Sequence, residues 1–227
     1  MKPLIELSNI EKVFSVEPPI KPLDSLNLIV HPGELVVITG VSGKGKSTLL
    51  SIMGGILRPT SGAIIFRGED ITEVSSKRID ELLKCGIGFI FQIPHLFQAL
   101  TVEENLVFSQ KSRGLRISSE KVFSILEEFG LQDRKDHLPS ELSVGQKRRL
   151  VIAQALAANH ELILADEPTN DLDSEWSDHV FTKLRRFVDN SGKAAVVVTH
   201  DESYVTFADT VYVLEKGKLH LRKKVIE

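Results

Sequence analysis

A continuously apolar segment followed by a glycine-rich octapeptide is the feature that most restricts the fold of this chain. Residues 35–38 predict a buried strand, and a helix is expected from about Lys46. The glycines between them let several backbone N–H groups face one anion, while the lysine reaches β and γ phosphates and the serine hydroxyl can bind Mg²⁺. A simple glycine-rich turn is the alternative, which the position directly after a strand disfavours. The segment predicts a P-loop that binds a nucleoside triphosphate, formed by Gly40, Val41, Ser42, Gly43, Lys44, Gly45, Lys46, Ser47 and Thr48.

The bulk properties of the chain exclude several classes of protein. Its 227 residues suffice for one large domain, and its net charge of -3 gives no electrostatic footprint for nucleic acid. The single cysteine, Cys85, cannot form an intramolecular disulfide, which suits a reducing compartment. There is no apolar run of about 18 residues and no apolar signal core near Met1, so a cytosolic protein is expected. Any work on a membrane would then need a partner.

Strand-like and helix-like segments alternate along the chain, which predicts a mixed α/β layered fold. The runs near residues 35, 162 and 194 are continuously apolar, as expected of strands that are covered on both faces of a sheet. Residues 211–219 have the pattern of a hairpin. The predicted strands span residues 4–10, 35–39, 63–66, 87–91, 162–165, 194–198 and 211–214.

The segment between residues 91 and 162 has no predicted strand. Its apolar residues recur at helical spacing, so it is interpreted as a helical insertion at about 93–160 in a single domain of residues 1–227. The proline-rich stretch 17–22 is expected to be a loop. Helices are predicted in the insertion at residues 101–111, 118–129 and 145–159.

Two adjacent carboxylates, Asp166 and Glu167, end the buried strand that begins at Leu162. Ligand sites of open α/β sheets lie at such strand ends. Because successive strand residues point to opposite sides, we expect one carboxylate beside Mg²⁺ and the other beside an attacking water. Pro168 disfavours the α region for the residue before it, so Glu167 is predicted to be extended. The alternative, two acids exposed to solvent, is disfavoured by the presence of a P-loop.

Two other strands also end in polar side chains. Gln92 closes the strand 87–91, and its amide oxygen could bind the metal or hold the water. His200 follows the buried strand 194–198 and is the histidine whose position suits catalysis. A surface or capping role for His200 is an equally open interpretation from position alone.

The segment Leu142-Ser143-Val144-Gly145-Gln146 completes an ordered set of motifs. The others are the P-loop, Gln92, Asp166-Glu167, Asn170-Asp171-Leu172-Asp173 and His200. In this combination the chain resembles, over essentially its whole length, the ATPase subunit of an ATP-binding cassette transporter. The resemblance implies a P-loop NTPase core of the RecA type with an antiparallel β subdomain and an inserted α-helical subdomain.

The resemblance also implies ATP and Mg²⁺ as ligands and assigns roles to matching residues. Phe14 looks like the aromatic residue that stacks on adenine. The residues that match the phosphate, metal, water and γ-phosphate groups of the family are Lys46, Ser47, Gln92, Asp166, Glu167 and His200. Glu167, His200 and Gln92 are thus the expected catalytic residues, and the expected metal ligands are Ser47, Gln92 and Asp166.

A head-to-tail dimer follows from the same resemblance. Ser143, Gly145 and Gln146 would serve the nucleotide of the partner copy, and Asp173 resembles the residue that communicates across the dimer. A separate permease is implied as well, receiving the chain at the cytoplasmic face of the inner membrane as a peripheral subunit. Residues 94–101 are the expected contact with a cytoplasmic helix of that permease.

Three stretches, residues 88–92, 100–105 and 164–169, look like those of the bacterial lipoprotein-releasing and macrolide-export group. That group includes a cell-division ATPase that drives wall hydrolases. The sequence leaves the cargo open, and a weakly hydrolysing ATP-dependent scaffold is the alternative to an ATPase. Val144 supports that alternative, because the family usually has glycine there. We expect Val144 to adopt an ordinary extended or helical conformation, with Gly145 providing the close approach.

Three consecutive cations lie in the first turn of the predicted helix after Ser143. Lys147, Arg148 and Arg149 oppose the helix dipole there by a few tenths of a kcal/mol each. We expect the three side chains to be exposed, so that water offsets this unfavourable interaction with the dipole. A bound polyanion is the alternative.

Overall fold

Strands and helices alternate through most of the chain, and the computed structural model describes residues 2–189 and 192–224. The strands in these residues are β1 (Ile5–Phe14), β2 (Ile20–Val30), β3 (Leu35–Thr39), β4 (Ser61–Phe66), β5 (Glu69–Asp70), β6 (Ile87–Ile90), β7 (Leu162–Asp166), β8 (Ala194–Val198), β9 (Thr210–Glu215) and β10 (Lys218–Lys224). The α-helices are α1 (Lys46–Met53), α2 (Ser76–Cys85), α3 (Val102–Lys111), α4 (Ser119–Glu128), α5 (Val144–Ala157) and α6 (Ser174–Asp189). Short 3₁₀ helices span Gln132–Arg134, Pro139–Glu141 and Glu202–Phe207.

Two sheets form the frame of the molecule. One has six strands in the order β10-β9-β3-β8-β7-β6, in which all neighbours are parallel except the β9–β10 hairpin. The other has four antiparallel strands in the order β2-β1-β4-β5. The predicted α/β layered fold and the predicted hairpin are therefore confirmed.

The six-stranded sheet is covered on both faces, which explains its continuously apolar strands. In β3, Leu35 and Val37 face a cluster that includes residues of α3, α4, α5 and α6. Their neighbours Val36 and Ile38 face the opposite cluster, which contains residues of α1 and of the antiparallel sheet. Because the side chains of a strand alternate between faces, an entirely apolar strand is required where both faces are buried.

The carboxyl ends of β3, β6, β7 and β8 lie at one edge of the sheet because these strands are parallel. The P-loop follows β3, Gln92 follows β6, and the two carboxylates lie at the end of β7. His200 follows β8. The topology thus brings four distant parts of the sequence to one place.

Three α-helices, α3, α4 and α5, occupy the chain between β6 and β7. Each begins with a hydroxyl cap, and Thr101 forms a reciprocal capping box with Glu104. The buried Asn105 donates to the carbonyls of Phe97 and Leu100 at 3.0 and 2.8 Å, which fixes the loop before α3. These helices fall within the predicted insertion at 93–160.

The prediction of a loop at residues 17–22 is wrong for residues 20–22, because β2 already begins at Ile20. The strand tolerates Pro22 because β2 is an edge strand and its register with β1 shifts next to this proline. Strands β2 and β5 and helices α2 and α6 had no counterpart in the sequence prediction. β5 has only two residues, and both are exposed acids, so no apolar pattern marks it.

Candidate functional site

The P-loop bends where two glycines are required. Gly40 has φ 145°, and a Cβ there would lie 2.6 Å from the carbonyl oxygen of Leu214. Gly45, the N-cap of α1, has φ 104°, and its Cβ would lie 2.8 Å from the carbonyl oxygen of Pro22. Any side chain at these positions would force both a strained backbone and a clash. The backbone of the loop therefore packs against Leu214 and Pro22 at distances that only glycine permits.

Lys46 is buried at the centre of this loop. Its Nζ donates to the carbonyls of Gly40 at 2.8 Å and Val41 at 3.3 Å. The same Nζ lies 3.9 Å from Oε1 of Glu167. The ammonium group is thus held between the loop and the end of β7.

A cavity of about 300 Å³ opens at this edge of the sheet. Its size suits a phosphate chain and a metal ion. The lining residues are Ser42, Gly43, Gly45, Lys46, Ser47, Thr48, Gln92, Asp166 and Glu167. All nine belong to the set selected from the sequence, whereas Val41 and Lys44 are exposed outside the lining.

Asp166 and Ser47 form the part of the cavity that suits a metal. Burial raises the pKa of Asp166, and a hydrogen bond from the Ser47 side chain opposes that rise. Together with the amide of Gln92, which lines the same cavity, they offer hydroxyl, carboxylate and amide oxygens. Hard oxygen donors of this kind fit Mg²⁺, which usually takes one or two carboxylates and completes its shell with water and phosphate.

Glu167 is not extended, and the prediction from Pro168 was wrong. Its φ is 47°, in the left-handed region. Its N–H donates to the carbonyl of Val198 at 2.9 Å, and its side chain lies between Lys46 and His200. The following proline excludes only the right-handed α region, and these contacts select the left-handed one. A non-glycine residue in this region is a strained conformation of the kind that collects at functional sites.

His200 lies against the same carboxylate. Oε2 of Glu167 accepts a hydrogen bond from the His200 backbone N–H at 3.2 Å and lies 3.0 Å from Nδ1 of the ring. The His200 side chain is 62% exposed, so the ring stands at the rim of the cavity. The carboxylate is therefore flanked by Lys46 on one side and by an imidazole on the other.

Ser143 and Gln146 cap α5 reciprocally. Oγ of Ser143 accepts from the Gln146 N–H at 3.2 Å, and Oε1 of Gln146 accepts from the Ser143 N–H at 2.8 Å. Val144 is the first helical residue and is 55% exposed, so its predicted ordinary conformation is confirmed. A Cβ on Gly145 would lie 3.0 Å from the carbonyl oxygen of Asp171, so glycine permits close packing there. These residues lie outside the lining of the cavity described above.

The predicted solvation of the three cations after Gln146 is wrong for two of them. Arg148 is buried and donates to the carbonyls of Phe91 and Gln92. Arg149 donates to the carbonyl of Phe129 and stacks 4.0 Å from the ring centroid of Trp176. Carbonyl oxygens and an aromatic face therefore compensate these charges.

Sequence reasoning assigned no site role to Arg148, and the helical spacing gives little signal. Arg148 lies four residues before Ile152 and seven before Ala155, which are both buried on α5. Arg149 also precedes buried residues at helical spacing, Ile152 and Ala153, so the spacing does not single out Arg148.

Two remaining predicted residues, Asp173 and Phe14, lie outside the lining of the cavity. Asp173 accepts the N–H of Trp176 at 2.9 Å, which caps α6. Phe14 ends β1, and Nζ of Lys12 lies 5.2 Å from its ring centroid. Phe14 pairs with Ile20 on β2, the strand whose Pro22 contacts the P-loop, but it does not line the cavity.

Comparison with known proteins agrees with the geometry of the site. Residues 23–170 match the family model described as ABC transporter. The chain is 39% identical over 230 residues to the lipoprotein-releasing system ATP-binding protein LolD of Shewanella denitrificans, covering 96% of this chain and 97% of that protein. It is also 39% identical over 223 residues to the macrolide export ATP-binding/permease protein MacB 2 of Aeromonas hydrophila. That match covers 96% of this chain and 34% of that relative.

Solved structures support the same relationship. The dimeric structure of MJ0796, a bacterial ABC transporter cassette, has a TM-score of 0.90 at 33% identity, covering 98% of this chain and 99% of that one. A post-hydrolysis state of the same cassette bound to ADP and Pi has a TM-score of 0.91 at 32% identity, with the same coverage. Within residues 2–189 and 192–224, none of the helices combines the length and apolar character needed to cross a membrane. The predicted resemblance is confirmed: the chain belongs to the ABC transporter family, as an ATP-binding cassette with the P-loop NTPase fold.

Proposed function

We propose that this chain hydrolyses ATP as one of two identical cassettes and thereby drives a separate membrane permease. The observation that carries the proposal is the placement of Glu167. Its carboxylate lies 3.9 Å from the Lys46 ammonium and 3.0 Å from the His200 ring, at the wall of the cavity beside the P-loop. A carboxylate in this position can accept a proton from a water that attacks a bound γ-phosphate.

The other residues of the site have proposed roles in binding the phosphates, the metal and the adenine. Lys46 and the P-loop N–H groups hold the phosphates, and His200 stabilises charge that develops on the transferred group. Ser47, Gln92 and Asp166 are the residues proposed to hold Mg²⁺. When bound, Mg²⁺ would neutralise phosphate charge. Phe14 is the proposed platform for adenine.

A second copy is needed to complete the site. Ser143, Gly145 and Gln146 stand at the start of α5, where free N–H groups and the helix dipole favour an anion. They lie outside the lining of their own cavity, which fits a role toward the nucleotide of the partner. Asp173, at the start of α6, is the proposed link between the two sites.

The helical insertion at about 93–160 is the proposed docking region for the permease. Ile93, Phe97 and Phe108 expose 70%, 55% and 43% of their surface there, and the two phenylalanine rings pack at 4.5 Å. Apolar side chains on an exposed surface are typical of an interaction site. Such a complex would hold the chain at the cytoplasmic face of the cell membrane. The names of the relatives suggest lipoproteins or macrolides, both amphipathic, as the class of cargo.

The test is the rate of phosphate release by the wild-type chain and by Glu167→Gln. Glutamine keeps the shape but cannot accept the proton, so turnover should fall by about 10² or more while ATP still binds. Phosphate release and equilibrium binding of a fluorescent ATP analogue measure the two quantities separately. Undiminished turnover in Glu167→Gln would remove Glu167 from the mechanism. A wild-type chain that binds ATP without releasing phosphate would indicate the weakly hydrolysing scaffold, which Val144 favours.

A further inference from the structure

Arg148 connects three segments around the proposed ATP site. It lies on α5, five residues after the cap Ser143, and is 1% exposed. Its Nη1 donates to the Phe91 carbonyl at 2.7 Å, and its Nη2 donates to the Gln92 carbonyl. Nη2 also lies 3.5 Å from Oδ2 of Asp171, in the loop that follows Glu167. The start of α5, the two residues after β6 and the loop after β7 therefore meet at one guanidinium.

This arrangement is costly as a means of filling the core. Burial lowers the pKa of Arg148, yet the group stays charged because an arginine titrates far above neutral pH. Its carboxylate partner Asp171 is half exposed, and Nε has no hydrogen-bond partner among the described residues. A buried cation paired in this way contributes little to stability compared with a well-packed apolar side chain. A role in positioning explains its presence better than packing does.

We propose that Arg148 is a positioning residue for Gln92. By holding the carbonyls of Phe91 and Gln92, it fixes the backbone from which the Gln92 side chain reaches the cavity. Its contact with Asp171 ties the same point to the loop after Glu167. The inference rests on the proposed function, in which Gln92 serves the metal and the water. Misplacing such a ligand slows the chemical step more than it weakens nucleotide binding.

The test compares Arg148→Met with a matched control, Arg113→Met. Arg113 is also a guanidinium whose pKa is lowered by burial, but it donates to the Ser109 carbonyl at the end of α3. We expect Arg148→Met to lower kcat for ATP by about tenfold or more, with KM changed less than about twofold. The Mg²⁺ concentration for half-maximal rate should rise. Arg148→Lys should recover part of kcat, because an ammonium can reach one of the two carbonyls.

Two measurements distinguish a role of Arg148 in positioning Gln92 from a general role in stabilising α5. Hydrogen exchange of a peptide spanning residues 90–96 should quicken several-fold in Arg148→Met and stay unchanged in Arg113→Met. ATP-driven dimerisation, measured in a Glu167→Gln background, should persist when Arg148 is also replaced.

Equal kcat and equal exchange in the two variants would overturn the inference. So would loss of dimerisation together with kcat, because Arg148 would then merely support the fold of α5. A wild-type chain without ATPase activity would refute the proposed function. Even then, the exchange experiment would decide whether Arg148 holds the Gln92 segment.

Discussion

Glu167 depends for its position on neighbours from α1, from β8 and from the segment that follows β8. Its N–H donates to Val198 on β8, while its carboxylate lies between Lys46 on α1 and His200 after β8. These contacts support a left-handed backbone that an isolated glutamate rarely adopts. At the scale of single residues, the site is therefore determined by long-range contacts. The role of each side chain follows from those contacts more than from the identity of its neighbours in sequence.

His160 provides a test of the structure at the same scale. It is fully buried, neither ring nitrogen has a hydrogen-bond partner among the described residues, and burial lowers its pKa to about 3. The nearby charges of Arg113 and Lys193 contribute to this lowering of the pKa. The ordinary pKa of 6.5 applies to the unfolded chain, so the unfolded chain takes up this proton first as the pH falls.

His160 should therefore make the protein less stable as the pH falls from 6.5 toward 3. Between pH 7 and pH 5.5 the expected loss is about 1 kcal/mol, because the folded form stays neutral throughout that interval. Urea unfolding at both pH values measures it. His160→Leu should reduce the pH-dependent loss by this amount, whereas the exposed His220→Leu should not. A pH dependence that His160→Leu leaves intact would contradict the buried, unpaired imidazole.

The start of α5 combines a structural cap with a proposed binding role. Ser143 satisfies one free N–H of its own helix, and its exposed position leaves the end of the helix open to a partner. Ser118 caps α4 in the same way, accepting from the Lys121 N–H at 3.3 Å, but lies outside the proposed site. The two helices thus offer a matched comparison at the scale of elements.

Ser143→Ala and Ser118→Ala should each lower the free energy of unfolding by about 1 kcal/mol, the usual cost of a lost N-cap. Only Ser143→Ala should also weaken ATP-driven dimerisation, because Ser143 is the one of these two serines that is proposed to contact the nucleotide of the partner. Chemical denaturation and light scattering with ATP measure the two effects. If both variants dimerised equally well, α5 would have a structural role alone.

Sequence patterns predicted some elements well for a physical reason. β3 and β8 were predicted residue for residue, because strands buried on both faces are entirely apolar. β2 was missed because it is an edge strand with alternating exposure and a proline. Arg148 was assigned to solvent because charged residues are rarely fully buried, and its carbonyl partners lie more than 50 residues away in sequence. Six of the nine cavity residues could be chosen in advance from the P-loop motif. The other three, Gln92, Asp166 and Glu167, could be chosen because parallel topology brings strand ends together.

Two surfaces of the whole molecule take part in the proposed ATP sites, the cavity beside the P-loop and the start of α5. The cavity holds the P-loop, Gln92 and the two carboxylates, whereas the start of α5 stands outside that cavity. A single copy therefore has the cavity for one proposed ATP site and the α5 start for the other. A head-to-tail pair would form two complete sites, each from the cavity of one copy and the α5 start of its partner. The similarity to a cassette that was solved as a dimer, at a TM-score of 0.90, supports assembly as a dimer.

The most direct test of ATP-driven dimerisation is the mass of the Glu167→Gln variant in solution. Size-exclusion chromatography with light scattering measures this mass. With Mg²⁺ and ATP the variant should bind nucleotide without rapid turnover and elute as a dimer, whereas ADP or no nucleotide should leave a monomer. Adding Ser143→Ala should shift the ATP sample back toward monomer. A Glu167→Gln chain that binds ATP yet stays monomeric at saturating nucleotide, with or without its membrane partner, would contradict the account.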